Sequence, residues 1–147
     1  LRLVGNTERP SPETMDWAID ITNMGQDLLN PPSVEGWHTG IEWINSGTLM
    51  KRTNFTAELM GDLTRPGVIN IMDRLKSVEA SADALVSACL DLMGPLNVED
   101  DIKQELIEHV ESFGPFDWDK ESENENAAAV ASEIIQLIVS LREYQFA

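Results

Sequence analysis

Apolar residues recur with the spacing of an α-helix along most of the chain, and no stretch alternates between apolar and polar residues as a strand does. All seven prolines lie between the periodic stretches, where they do not interrupt a helix. The pattern predicts an all-α fold of five or six helices, in which an N-terminal helix–loop–helix unit packs on a C-terminal three-helix unit containing an αα-hairpin. We expect one helical domain, 1–147, with a subregion 1–67 that holds a Gly-Trp loop and its flanking helices, and a C-terminal bundle, 68–147.

The first predicted helix covers residues 12–29, with Ser11 as its N-cap and Gly25 in its interior. Glycine inside a helix costs about 1 kcal/mol relative to alanine, so we expect Gly25 to allow a close approach by a neighbouring group. A helix with one narrow polar stripe is expected to pack against neighbours on both flanks. That stripe consists of Glu13, Asp16, Asp20, Asn23 and Asp27.

Two further helices are predicted between the first helix and residue 82. One begins near Ile41 or Ser46 and ends before Gly61, and a short one follows at about 68–76. Residues 30–40, which contain two prolines and two glycines, form the loop before them.

The C-terminal part carries three apolar stripes with helical spacing. The stripes at 82–93 and after Asn97 are joined by a link of four residues, 94–97, and are expected to form an antiparallel αα-hairpin. The last helix, about 125–144, is apolar almost all round, which predicts that it is the buried centre of this part. Residues 114–126 are expected to be a flexible acidic connector.

The charge of the chain limits the partners that it can have. With 26 acidic and 10 basic residues among 147, the net charge is −16, while an apolar content of 42% suffices for a core. Phosphate backbones and anionic membranes repel such a chain, which argues against nucleic acid and against a basic membrane anchor. Residues 97–126 alone carry a net charge of −9. No apolar stretch reaches the roughly 20 residues of a membrane span.

Two small features bear on compartment and extent. The single cysteine, Cys89, excludes an internal disulfide framework and lies on an apolar stripe, where it is expected to be a small buried side chain. The chain begins at Leu1 without Met, which predicts a piece of a longer chain.

Four short motifs resemble one bacterial family. Residues 28–45 read Leu-Leu-Asn-Pro-Pro-Ser-Val-Glu-Gly-Trp-His-Thr-Gly-Ile-Glu-Trp-Ile-Asn; Met24-Gly25-Gln26 precedes them, Thr-Leu-Met-Lys-Arg-Thr-Asn-Phe follows at 48–55, and Ser-Leu-Arg-Glu-Tyr-Gln stands at 140–145. These motifs resemble the C-terminal third of domain-of-unknown-function family 1800. His38 and Thr39 depart from the pattern, which has Pro and Gly there. The resemblance implies a largely helical, often exported protein of several hundred residues and supplies no catalytic activity.

Trp37, His38 and Trp43 form the most distinctive candidate surface. They are expected to be a rigid plug, since a Trp ring buries roughly 200 Å² and can hold an irregular loop on a helix. The alternative is an aromatic surface for a sugar or a peptide, with His38 as a polar contact.

Acidic residues provide the weak candidates for a metal site. Asp117, Asp119, Glu121 and Glu123 alternate as in a calcium loop, but the glycine and the distal glutamate of an EF-hand are missing from the pattern. We therefore expect no dedicated metal site there. His109 with Glu105 one turn earlier is a weak acid–base candidate. No motif for a phosphate or a dinucleotide is present, and we expect no cofactor.

These observations favour a non-enzymatic structural or protein-interaction module of a larger exported bacterial protein. Its partner would be the missing N-terminal part of the same chain or another protein. The alternative is one wall of an enzyme or of a carbohydrate- or peptide-binding site, completed by that missing part. An open cleft around Trp37 and His38 would favour the alternative.

Overall fold

A computed structural model describes residues 12–27, 29–37, 42, 44–118 and 121–146, with the side chains of 12–15 and 121–125 left out of the description. Within these ranges the only β-feature is an isolated bridge between Ser33 and Gly36, which confirms the all-α class. The described residues form seven helices instead of five or six: α1 (Pro12–Asn23), α2 (Ser46–Gly61), α3 (Pro66–Leu75), α4 (Ala82–Met93), α5 (Asp100–Ser112), α6 (Glu121–Ser140) and α7 (Arg142–Gln145).

Helix α6 is the centre of the molecule, as its all-round apolar pattern predicts. It packs against α2, α3, α4, α5 and α7. Ile134, Ile138 and Val139 are completely buried. Ser132 is buried as well, and its hydroxyl donates to the carbonyl oxygen of Met60 at 3.3 Å, which ties α6 to the end of α2. None of the described helices is long and apolar enough to span a membrane.

Helix α1 is attached to this core mainly through one aromatic ring. Trp17 is the only buried hydrophobic residue described before Met60. The guanidinium of Arg65 lies 5.9 Å from the centre of the Trp17 ring, a cation–π distance, and also pairs with Asp62 at 3.0 Å. Hydrogen bonds from Thr64 hold the pKa of Asp62 below its ordinary value. The contact links α1 to the connection between α2 and α3.

The first helix ends six residues earlier than predicted, and Gly25 explains the difference. Gly25 has a φ of 101°, a conformation that favours glycine. Its amide donates to Thr22 O, and the amide of Gln26 donates to Ile21 O, the pair of bonds that defines a Schellman motif. Gly25 is therefore the residue that terminates the helix, and the expected role of an interior glycine is wrong.

The predicted αα-hairpin needs correction at its link and in where its second helix begins. Residues 94–99 form a link of six residues, and Glu99 is the N-cap of α5 instead of Asn97. Lys103 near the start of α5 pairs with Asp83 in the first turn of α4 at 3.2 Å. A tight antiparallel hairpin would instead bring the start of α5 beside the end of α4. The longer link allows the chain to run back along α4.

The last predicted helix is divided in two. It begins at Glu121, earlier than expected, so the connector before it is shorter than residues 114–126. At its other end, Leu141 adopts an extended conformation (ψ 147°), and the single turn of α7 follows. Helix α7 is therefore the seventh helix, one more than the five or six that the sequence predicts.

Candidate functional site

A cleft lies between the end of α1, the middle of α2 and the turn of α7. Its volume is about 300 Å³. One part of its wall is apolar or aromatic, and the other carries polar groups. The described residues of this α1–α2–α7 cleft are Ile21, Met24, Gln26, Arg52, Phe55, Thr56, Tyr144 and Gln145.

The α2 side of the cleft follows from helical spacing and a strong N-cap. Arg52, Phe55 and Thr56 are separated by three and one residues, so they project from one face of the helix. Asn45 starts α2 with a capping box: its side chain accepts from the amides of Gly47 and Thr48, while the hydroxyl of Thr48 accepts from the amide of Asn45. The cap fixes where the helix begins, and the bonds of Arg52 to Gln145 hold this face of it at the cleft.

Gln145 closes the opposite side of the cleft and is only 2% exposed. The Arg52 Nε donates to its side-chain oxygen at 3.1 Å, and Nη2 donates to its backbone oxygen at 3.0 Å. Its side-chain nitrogen Nε2 donates to Val139 O at 2.6 Å and to the hydroxyl of Thr56 at 3.3 Å. A single buried side chain therefore joins α2, α6 and α7.

The break between α6 and α7 makes this arrangement possible. Val139 O is one of the last four carbonyls of α6, which lack partners inside the helix. The chain turns at Leu141 and returns Gln145 to that carbonyl. The polar end of α6 is thus satisfied by a side chain six residues later, and the same turn carries Tyr144 to the cleft wall.

Arg52 is the charged residue of the described cleft wall. Burial lowers the pKa of its guanidinium, and the nearby Tyr144 partly opposes this effect. Arg52 remains charged in this partly buried position, because the ordinary pKa of a guanidinium is far above neutral pH. The cleft therefore presents a positive group beside neutral amides, although the whole chain carries a net charge of −16.

The candidate aromatic surface is described only in part. Trp37 follows the turn formed by Ser33 and Gly36 and is 40% exposed. His38 and Trp43 lie outside the described residues. The ring of Trp37 is therefore partly exposed to solvent. That these residues hold the loop as a rigid plug stays a prediction.

Of the four weak metal candidates, only Asp117 has a side chain among the described residues. Asp117 is described and has an interaction partner. Asp119 lies outside the described residues, as do the side chains of Glu121 and Glu123, whose backbone forms the first turn of α6. Within the described part of the chain, no group of three or more His, Cys, Asp or Glu side chains is arranged to hold a metal ion.

Two other candidate groups have clear structural surroundings. His109 Nε2 lies 3.0 Å from Glu133 Oε1 on α6, so its partner is Glu133 and not the predicted Glu105. Both side chains are more than one third exposed, which is typical of a surface pair between packed helices. Cys89 is completely buried, and burial raises the pKa of its thiol to about 12. The thiol is therefore unreactive at neutral pH.

The sequence analysis did not predict the α1–α2–α7 cleft, although four of its lining residues belong to motifs quoted there. Gln26, Arg52, Tyr144 and Gln145 all stand in the motifs that carry the family resemblance. Three of these motifs, at 24–26, 48–55 and 140–145, thus converge on one cleft. These motifs contain polar residues that neither cap a helix nor lie in a turn, and this pattern could have indicated a shared site.

No curated protein and no solved structure is significantly similar to the chain. The family described as "Protein of unknown function (DUF1800)" matches residues 1–146, and this match confirms the expected resemblance. The chain therefore belongs to the DUF1800 family.

Proposed function

We propose that the chain is a non-enzymatic protein-interaction module whose N-terminal side contacts another protein surface in a larger exported protein. One observation carries this proposal: apolar side chains are distributed unequally between the two parts of the chain. Among the described residues, the buried core begins at Met60 apart from Trp17. The four most exposed large hydrophobic residues of the described part all precede Met60, namely Ile19, Leu29, Val34 and Met50.

Exposed apolar side chains in this number favour a partner over solvent. Large side chains left in water along one segment are typical of interaction surfaces. Leu29 and Val34 are almost fully exposed and lie in the same short loop as Trp37. We propose that the N-terminal part of the same polypeptide covers this loop, because the family resemblance implies a protein of several hundred residues.

Hydrogen–deuterium exchange tests the proposal. The amides of residues 29–37 are expected to exchange more slowly in the polypeptide from the full reading frame than in the 147-residue chain. Helices α4 and α6 serve as the internal reference and should exchange equally in both. Equal exchange of the loop in both polypeptides would contradict a partner within the same chain.

A matched pair of variants ties the effect to the exposed loop. Val34→Asp is expected to restore fast exchange of residues 29–37 in the longer polypeptide, because a carboxylate would have to be desolvated in the interface. Ile69→Asp provides the control, since Ile69 is 45% exposed on α3, away from the loop in sequence. It should leave the protection of residues 29–37 unchanged.

A second function, one wall of a carbohydrate- or peptide-binding site, is favoured by the exposure of Trp37. A partly exposed indole can stack on a sugar or an apolar side chain. Titration with neutral oligosaccharides and short peptides, followed by the indole NMR signals, tests it. Saturable shifts that disappear in Trp37→Ala would support this function, and their absence would contradict it.

A further inference from the structure

We infer that the groove between α5 and the second half of α6 binds a segment of another polypeptide that presents leucine-like side chains flanked by lysine or arginine. This α5–α6 groove has a volume of about 380 Å³. Its described wall shares no residue with the α1–α2–α7 cleft or with the exposed loop 29–37. The inference therefore stands apart from the proposed function, and either can fail without the other.

Two apolar ridges form the walls of the groove. Ile102 and Leu106 lie four residues apart on α5, and Leu137 and Leu141 lie four residues apart at the end of α6, a spacing that places side chains on one face of a helix. Leu106 is 5% exposed, whereas Leu137 is 38% exposed and remains in contact with solvent. A groove with such walls receives the apolar side chains of an amphipathic partner segment.

Carboxylates give the groove its sign. Glu105 belongs to the described wall, one turn before His109. His109 Nε2 lies 3.0 Å from Glu133 Oε1, which brings a second carboxylate beside the wall. These three side chains carry a net negative charge whether the imidazole is neutral or protonated. Apolar walls next to negative groups favour a partner that combines apolar side chains with cationic ones.

The bases closest in sequence to the groove residues are held by other groups. Lys103 on α5 pairs through Nζ with Asp83 of α4 at 3.2 Å. The guanidinium of Arg142, which follows the last groove residue, lies 6.0 Å from the centre of the Phe146 ring. Neither base pairs with Glu105, whose side chain is exposed. This carboxylate is therefore left for the cation of a partner.

The size of the groove and the charge around it indicate a polypeptide partner and not a small cation. About 380 Å³ lies near the lower end of the range for ligand pockets, roughly 300–1,000 Å³, and so receives a few side chains. Asp101 and Glu108, four residues before and three residues after Glu105, are exposed on the same side of α5. A segment with several bases meets these carboxylates while its apolar side chains fill the groove.

NMR titration of the 147-residue chain with three peptides tests the inference. The first is acetylated and amidated Leu-Lys-Lys-Leu-Leu-Lys-Lys-Leu; the second has glutamate in place of each lysine, and the third has alanine in place of each leucine. An ionic strength of about 0.15 M limits the Debye length to about 8 Å and screens attraction to the rest of the acidic chain. We expect a dissociation constant of about 0.1–1 mM for the first peptide, and binding at least about tenfold weaker for the other two.

Two matched pairs of variants locate the binding. Leu137→Lys is expected to weaken binding of the first peptide about tenfold or more, whereas Ile69→Lys adds the same charge on α3, at a side chain 45% exposed, and should weaken it less than about threefold. Glu105→Gln is expected to weaken binding about threefold. Glu111→Gln changes the opposite face of α5, nine residues from Ile102, and should alter binding less than about 1.5-fold.

The variants at Glu105 and Glu111 alter exposed side chains, so they test the inference even if Leu137→Lys does not fold. Peptide-induced shifts of the methyl signals of Ile102, Leu106 and Leu137, together with the expected preferences, would support the inference. Equal affinity for the lysine and glutamate peptides, equal affinity for the leucine and alanine peptides, equal losses within either pair of folded variants, or no saturable binding of the first peptide would overturn it.

Discussion

Arg52 and Gln145 are joined by two hydrogen bonds across 93 residues of sequence, and these bonds fix the turn of α7 against α2. Replacing Gln145 with Leu preserves most of the volume but removes the partner of Arg52 Nε and of Val139 O. Leaving buried polar groups without partners costs about 1–3 kcal/mol each, so we expect a loss of about 2–4 kcal/mol in the free energy of unfolding. Urea denaturation measures this loss.

The control for Gln145→Leu is the same substitution on the surface. Gln104 is exposed on α5, where its amide donates to Glu108 at 3.2 Å. Gln104→Leu should change the free energy of unfolding by less than about 0.5 kcal/mol. Similar losses for the two variants would contradict the structural role of Gln145.

Gly25→Ala distinguishes the observed end of α1 from the continuous helix that the sequence pattern predicts. Because Gly25 has a φ of 101°, a Cβ there is strained, and we expect destabilisation by about 1–2 kcal/mol. In a continuous helix the same change would stabilise the protein by about 1 kcal/mol. Thermal or urea denaturation reads the sign directly, and an increase in stability would mean that α1 continues beyond Asn23.

Trp17→Ala is expected to release α1 without unfolding the rest of the protein. Truncation of a buried tryptophan costs about 3–5 kcal/mol, and here it also removes the contact with Arg65. Among the described residues, Trp17 is the only one of α1 that belongs to the buried core. Amide exchange should therefore accelerate in α1 while α4 and α6 keep their protection. Loss of protection throughout the chain would show that α1 is part of the cooperative core.

The stability of the protein should fall in alkaline solution because of Cys89. Its pKa rises from an ordinary 9.0 to about 12 on folding, so the unfolded chain releases the thiol proton at a lower pH than the native one. The contribution is fully present below pH 9 and is lost progressively toward pH 12. At pH 10 the loss amounts to about 1.4 kcal/mol.

Comparison with Cys89→Ala isolates this contribution from the other groups that titrate in the same range. The variant loses some core packing at every pH, so the informative quantity is the change in unfolding free energy between pH 8 and pH 10. This change should be smaller in the variant by about 1.4 kcal/mol. An identical change in both proteins would contradict the burial of the thiol.

Residue patterns predicted the parts of the fold that depend on burial. The helical class, the central position of α6 and the buried Cys89 all follow from the spacing of apolar residues. The end of α1 was missed because a glycine in a periodic stretch is compatible with both an interior position and a C-terminal cap. Only the surrounding hydrogen bonds distinguish the two.

The cleft was harder to predict, because it depends on contacts between distant segments. Nothing in the local sequence indicates that α6 ends before Leu141, since the apolar and polar positions continue with helical spacing to Tyr144. The break is stabilised by the return of Gln145 to Val139 O and by its bonds to Arg52 on α2. A pattern read along one segment cannot contain such tertiary bonds.

The long sequence separation between Arg52 and Gln145 also has a consequence for how the protein is made. Ribosomes add about 5–20 residues per second, so the 93 residues between the two partners take roughly 5–20 seconds to synthesise. For most of that interval α2 has neither α6 to pack on nor Gln145 to orient its arginine. Its apolar face, including Phe55 and Met60, is therefore exposed in the nascent chain, and the cleft is completed only when α7 has been synthesised.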